Sequence, residues 1–163
     1  WDALCRRSGA IHGAETGAVA CDHYNRFAED VALMKRIGLR AYRFSIAWPR
    51  VVSAGSGVVN EKGLAFYDRL VDALLNAGIE PWITLYHWDM PQTVFERGGL
   101  LNRDIAQWFA DYSVAVVDRL SDRVNHWITI NEPQVFISLG YGDGKHAPGL
   151  RLSIPEQLLA AHN

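Results

Sequence analysis

The stretch "GLRAYRFSIAWPR", residues 38–50, runs from a helix-stopping glycine through an aromatic and branched run to a proline. Gly38 ends a periodic segment in which Tyr24, Phe27, Val31 and Met34 recur at helical spacing, which predicts a helix over roughly 22–37. The residues after it read as a strand, and Pro49 limits that strand. The same order recurs twice. Asn60 stands where it can cap a helix whose apolar face holds Leu64, Tyr67, Leu70, Val71 and Leu74, with Gly78 as the stop and "IEPWITLYHW" as the next strand. Asn102 or Asp104 then opens a helix carrying Ile105, Phe109, Tyr112 and Val116, followed by "VNHWITI". Units of about forty residues in this order predict parallel strands joined by crossover helices, an α/β fold.

The connections are unequal. Helix-to-strand joins are short, whereas "PRVVSAGSGVVNEKG", "DMPQTVFERGGLLNRD" and "EPQVFISLGYGDGKHAPGLRLSIPEQ" follow the three strands and are rich in Gly, Pro, Ser and Asn. In parallel sheets and barrels the elaborated loops at the strand carboxyl ends carry the chemistry. The first strand delivers Arg43, Ser45 and Trp48 to that end, the second His87, Trp88 and Asp89, and the third Asn131 and Glu132. Alternation puts Ala41, Arg43, Ser45 and Ala47 on one face, expected to be the barrel interior, and Tyr42, Phe44 and Ile46 on the other, against helices. An inward guanidinium needs a partner, and Glu132 is one candidate.

Glu132 next to Trp88 and His87 suits a general acid, because removal from water favours the neutral carboxyl; a capping or salt-bridging role is the plain alternative. Asn131 offers a donor and an acceptor fit for a sugar hydroxyl, or for a turn. Strict alternation points Asn131 and Glu132 to opposite faces, so both reach one ligand only if the strand end is irregular.

Composition excludes other classes. The chain has 163 residues, 49% hydrophobic, and a formal charge of −2, with basic residues scattered among acidic ones, so no nucleic-acid partner is expected. No apolar run reaches membrane-span length, so no membrane partner is expected either. Cys5 and Cys21 make no CxxC, and the six histidines show no ligand spacing. The expectation is a soluble, cytoplasmic, metal-free and cofactor-free protein, residues 1–163 forming a single domain.

Four ordered blocks, "DHYNRFAEDVALMKRIGLRAYRFSIAWPRV", "NEKGLAFYDRLVDALLNAGIEPWITLYHWDMPQ", "ITINEP" and "LGYGDGKHAPG", resemble the family 1 glycoside hydrolases, the β-glucosidase family. The resemblance implies a (β/α)8 TIM barrel, of which this chain would be an incomplete segment running from roughly the second to the fourth strand. It implies a retaining β-glycosidase acting on terminal β-D-glucosides or short β-linked oligosaccharides. Glu132 would be the general acid/base, Asn131 a ligand of the sugar 2-hydroxyl, His87 and Trp88 contacts of the glycone, and Arg43 the arginine beside the nucleophile. Gln134 stands where the family often has Trp. A retaining site needs a second carboxylate about 5 Å away. The family's first strand, its C-terminal half and its nucleophile motif have no counterpart here, so the nucleophile is expected outside the chain. Asp89, Glu96 and Asp143 are read as loop caps or solvent-facing acids rather than substitutes. The competing expectation is an inactive partial barrel that forms a homo-oligomer or pairs with a complementing chain, because open sheet edges invite association.

Overall fold

The structure, a computed structural model, describes residues 1–163. A short helix, α1 (Asp2–Cys5), and a single helical turn, His12–Ala14, precede the repeated units. The first unit is α2 (His23–Arg36) and β1 (Ala41–Ser45), followed by the short α3 (Trp48–Val51). The second is α4 (Glu61–Asn76) and β2 (Glu80–Tyr86), followed by α5 (Gln92–Glu96) and the turn Gly99–Leu101. The third is α6 (Ile105–Leu120) and β3 (His126–Ile130), followed by α7 (Pro133–Phe136), a wide helical turn over Ile137–Gly142, and α8 (Ile154–His162). The strands form one parallel sheet in the order β1-β2-β3, with Arg43 opposite Trp82 and Trp82 opposite His126.

The helix boundaries follow the periodicity. On α4 every residue of the expected face is buried, and Phe66 joins them. At about 1.5–3 kcal/mol for each large apolar side chain removed from water, that stripe alone fixes how α4 lies on the sheet. On α6 Ile105, Tyr112 and Val116 are buried and Phe109 is half-buried. On α2 only Val31 is fully buried; Tyr24 sits at the margin and stacks on Phe66 with ring centroids 4.6 Å apart. Asn60 occupies the N-cap position of α4, yet its side chain caps nothing there. Its amide donates instead to the Arg50 carbonyl at 2.9 Å, tying α4 to α3. The two helices touch so closely that a Cβ on Gly63 would fall 2.0 Å from that same carbonyl oxygen.

One face of the sheet is packed under the helices: Ile46 and Ile83 are fully buried and Leu85 nearly so. The other face carries Arg43, Trp82, His126 and Ile130, with Trp82 and Ile130 well exposed. The alternation expected in β1 therefore holds through Ser45 and stops before Ala47, whose backbone N–H donates to the Tyr67 hydroxyl at 2.7 Å. Tyr112 clamps the carboxyl ends of β1 and β2, its buried hydroxyl donating to the carbonyls of Leu85 at 2.9 Å and Ile46 at 3.2 Å. The joins from helix to strand are residues 37–40, 77–79 and 121–125, while those from strand to the next long helix span 46–60, 87–104 and 131–153.

Candidate active site

Two residues at the ends of β2 and β3 leave the ordinary backbone range. Trp88 has φ +79° and Glu132 has φ +45°, and neither is a glycine. Left-handed backbone costs an L-residue of order 1–3 kcal/mol and persists only where surrounding structure enforces it. At Glu132 it supplies the irregularity that strict alternation lacked. The backbone turns over after Asn131, and the two side chains come to the same side: Asn131 Nδ2 donates to Glu132 Oε2 at 2.9 Å.

Asn131 is the hub. It is 8% exposed, and its side-chain oxygen accepts a hydrogen bond from Arg43 Nη2 at 2.5 Å while its amide serves Glu132. His87 Nε2 lies 3.4 Å from the same amide nitrogen. The backbone of Asn131 is held as well, because its N–H donates to the Tyr86 carbonyl and its carbonyl accepts Trp88 Nε1–H, each at 2.9 Å. All five residues singled out from the sequence thus meet in one hydrogen-bonded cluster formed by three strand ends. Glu132 is exposed and its Oε1 makes no hydrogen bond, so that oxygen is free for a ligand.

Arg43 differs from expectation in its partner. It forms no ion pair with a carboxylate of this chain; its Nε–H donates to Thr84 Oγ1 at 3.0 Å and its Nη2 to Asn131. Within this chain Arg43 is exposed on the uncovered face of the sheet. Thr84, only 1% exposed, is a site residue the sequence reading missed; it stands opposite Ser45 in the sheet, on the face it shares with Arg43.

Burial and the Arg43 charge lower the His87 pKa, against an opposing pull from Glu132. The ring is therefore neutral at pH 7 and can present both a donor and an acceptor to a hydroxyl. Trp88 lies between two imidazoles, with ring centroids 5.1 Å from His87 and 5.4 Å from His146. Its neighbour Asp89 is the most perturbed acid of the site. Burial pushes its carboxyl up to about 7, with the backbone amides of Asp89 and His87 pulling the other way, and its Oδ1 is sealed from solvent with no hydrogen-bond partner. Gln134 is exposed in the first turn of α7, away from this network.

Nowhere do three or more His, Cys, Asp or Glu side chains gather as metal ligands, and no helix is long and apolar enough to cross a membrane. The arrangement offers a carboxyl with one free oxygen, a buried amide fixing the other, a neutral imidazole and an arginine. Such a set suits proton transfer to and from a polyhydroxylated ligand.

Comparison with known proteins places this geometry. The sequence profile of glycosyl hydrolase family 1 matches residues 1–163. Beta-glucosidase A of Thermotoga maritima is 48% identical over 163 residues, which is 100% of this chain and 36% of that protein. Thermostable beta-glucosidase B of Thermobispora bispora is 56% identical over 149 residues, 91% of this chain and 31% of that protein. The structure of the beta-glucosidase from Thermotoga maritima in complex with glucoimidazole superposes with a TM-score of 0.97 at 48% identity, covering 99% of this chain and 37% of the other. The chain spans about a third of the length of these relatives, and its sheet and helices are part of a (β/α)8 barrel.

Proposed function

This chain belongs to glycosyl hydrolase family 1, and from that premise we propose that its strand ends form the acid/base side of a retaining β-glucosidase site. Glu132 is the general acid/base in this reading. Its free Oε1 protonates the glycosidic oxygen as the leaving group departs, and the resulting carboxylate then takes a proton from the water that releases the sugar. Asn131 holds Glu132 through its amide and presents that same amide edge to a hydroxyl of the sugar beside the reacting carbon. His87, kept neutral, and Trp88 contact the glycone. Arg43 stands ready to orient the nucleophile carboxylate, which in this reading comes from the part of the relatives' barrel that the chain does not span. Terminal β-D-glucosides and short β-linked oligosaccharides are the proposed substrates.

The observation that carries the proposal is the left-handed Glu132. A residue placed merely to pair with Arg43 has no need of strained backbone, whereas here the strain brings Glu132 beside a buried asparagine and leaves one oxygen open. The full-length protein tests it. Glu132→Gln is expected to lower kcat on cellobiose by about 10³-fold or more, with a much smaller loss on aryl glucosides whose leaving group needs no proton. Parental turnover of cellobiose by that variant removes Glu132 from the role.

A further inference from the structure

Trp88 holds a left-handed backbone, which persists only where contacts from outside the turn enforce it. His87 is its chain neighbour and moves with it. From elsewhere in the chain come a hydrogen bond and a ring: the indole N–H donates to the Asn131 carbonyl at 2.9 Å, and the His146 imidazole packs on the indole with centroids 5.4 Å apart and planes inclined by 35°. Trp1 packs on the same imidazole, also at 5.4 Å. The Nδ1 of His146 is sealed from water with no hydrogen-bond partner, so that edge of the ring supplies packing and nothing more.

His146 is itself fixed to the element that leaves Glu132. Glu132 occupies the N-cap position of α7, which continues into the wide helical turn Ile137–Gly142. The N–H groups of Lys145 and His146 both donate to the Leu139 carbonyl of that turn, at 2.8 and 3.0 Å, and the Leu150 N–H donates to the Gly140 carbonyl at 2.9 Å. The loop lies so close on the turn that a Cβ on Gly140 would fall 2.4 Å from the Ala147 carbonyl oxygen. A closed circuit results. It runs from Glu132 through α7 and the wide turn to His146, from that ring to Trp88, and by the indole hydrogen bond back to Asn131, whose side chain meets Glu132 and Arg43. We propose that His146 is a positioning residue for the acid/base site: its imidazole, used as an aromatic face, keeps the Trp88 indole on the Asn131 carbonyl and so sets the placement of Asn131 and Glu132. The catalytic part of this proposal rests on the reading of Glu132 given above; the hold of His146 on Trp88 does not.

The experiment separates the two. In the full-length protein the indole N–H resonance of Trp88 is assigned by its disappearance in Trp88→Phe, and its exchange with deuterated solvent reads the hydrogen bond to Asn131 directly. In His146→Ala that exchange is expected to quicken by about tenfold or more, because the indole is released. It is accompanied by a kcat about ten- to a hundredfold lower on an alkyl β-glucoside, the scale of a misplaced catalytic group, with KM within about twofold. His146→Phe keeps an aromatic face without the ring nitrogens and is expected to restore both readouts to within about threefold of the parent. His146→Leu, which fills the space without a flat ring, repeats the measurement should the alanine variant not fold. Parental exchange in the alanine or leucine variant overturns the proposal, as does faster exchange with parental kcat. A phenylalanine variant as impaired as the alanine one also overturns it, and so does a loss confined to KM, which would make the ring a substrate contact. Faster exchange and lowered kcat, in a protein whose Glu132→Gln variant keeps full turnover of cellobiose, supports the His146 coupling while removing the acid/base assignment.

Discussion

Replacing Asp89 by asparagine should spare the protein a loss of stability that the parent suffers as the pH rises. In the folded chain the carboxyl titrates at about 7, against 3.8 for an unperturbed aspartate, with burial as the chief cause. Folding therefore favours the protonated form. This relative stabilisation is fully present below about pH 3.8 and is lost as the pH climbs through 7, because the unfolded chain releases its proton first. A span of about 3 pH units at 1.36 kcal/mol each gives roughly 4 kcal/mol lost overall, of which roughly 2–3 kcal/mol falls between pH 5 and 8. The groups facing Asp89 that share in this balance are Arg50 and the buried hydroxyls of Tyr67, Tyr86 and Tyr112, whose own pKa values are raised chiefly by burial. None of them is altered by the substitution. Urea unfolding of the full-length parent and the Asp89→Asn variant, followed by tryptophan fluorescence from pH 5 to 8, measures the difference directly. The stability difference should shift in favour of the variant by roughly 2–3 kcal/mol across that range. Two curves that run parallel within about 0.5 kcal/mol would refute a buried, late-titrating Asp89.

Two further substitutions test the frame that holds the site. Tyr112→Phe leaves the carbonyls of Ile46 and Leu85 without their shared donor and should cost about 1–2 kcal/mol in urea unfolding at neutral pH; a change below about 0.3 kcal/mol would show that the clamp contributes nothing. Gly63→Ala drives a methyl into the Arg50 carbonyl, a backbone atom that cannot rotate away. A loss above about 2 kcal/mol is expected, with no relief from trimming the Arg50 side chain, and a variant melting with the parent would contradict the close approach of α3 and α4.

Much of this was legible beforehand because period and stop signals coincide. The faces of α4 and α6 emerged from Leu64 to Leu74 and Ile105 to Val116, each closed by a glycine or loop, and the three strands lie inside the runs that alternation marked. Glu132, Asn131, His87 and Trp88 converge because each follows a strand of one parallel sheet, and Arg43 reaches them from within β1. What escaped is conformational rather than compositional. Neither Trp88 nor Glu132 is a residue type that announces left-handed backbone, so the sequence could pose the question of how Asn131 and Glu132 share a side without answering it. The neutral partners of Arg43 escaped for a related reason. Alternation says which face Arg43 takes but not which side chains of the neighbouring strands reach it, and here these are Thr84 and Asn131. Asp89 read as a loop acid because nothing in "HWDMP" tells that its carboxyl turns inward.

The unequal rims of the sheet have a meaning for heredity. Residues 37–40, 77–79 and 121–125 are so short that a change of length there would rotate a helix against its strand. The opposite connections, 46–60, 87–104 and 131–153, leave and rejoin the same scaffold over a longer path, and chain length can change within them at little thermodynamic expense. A lineage can therefore revise the loops around the strand carboxyl ends on one rim while the folding problem on the other stays solved. The tight turns at Gly38 and Gly78 are correspondingly the places to join segments of different relatives when building chimeras.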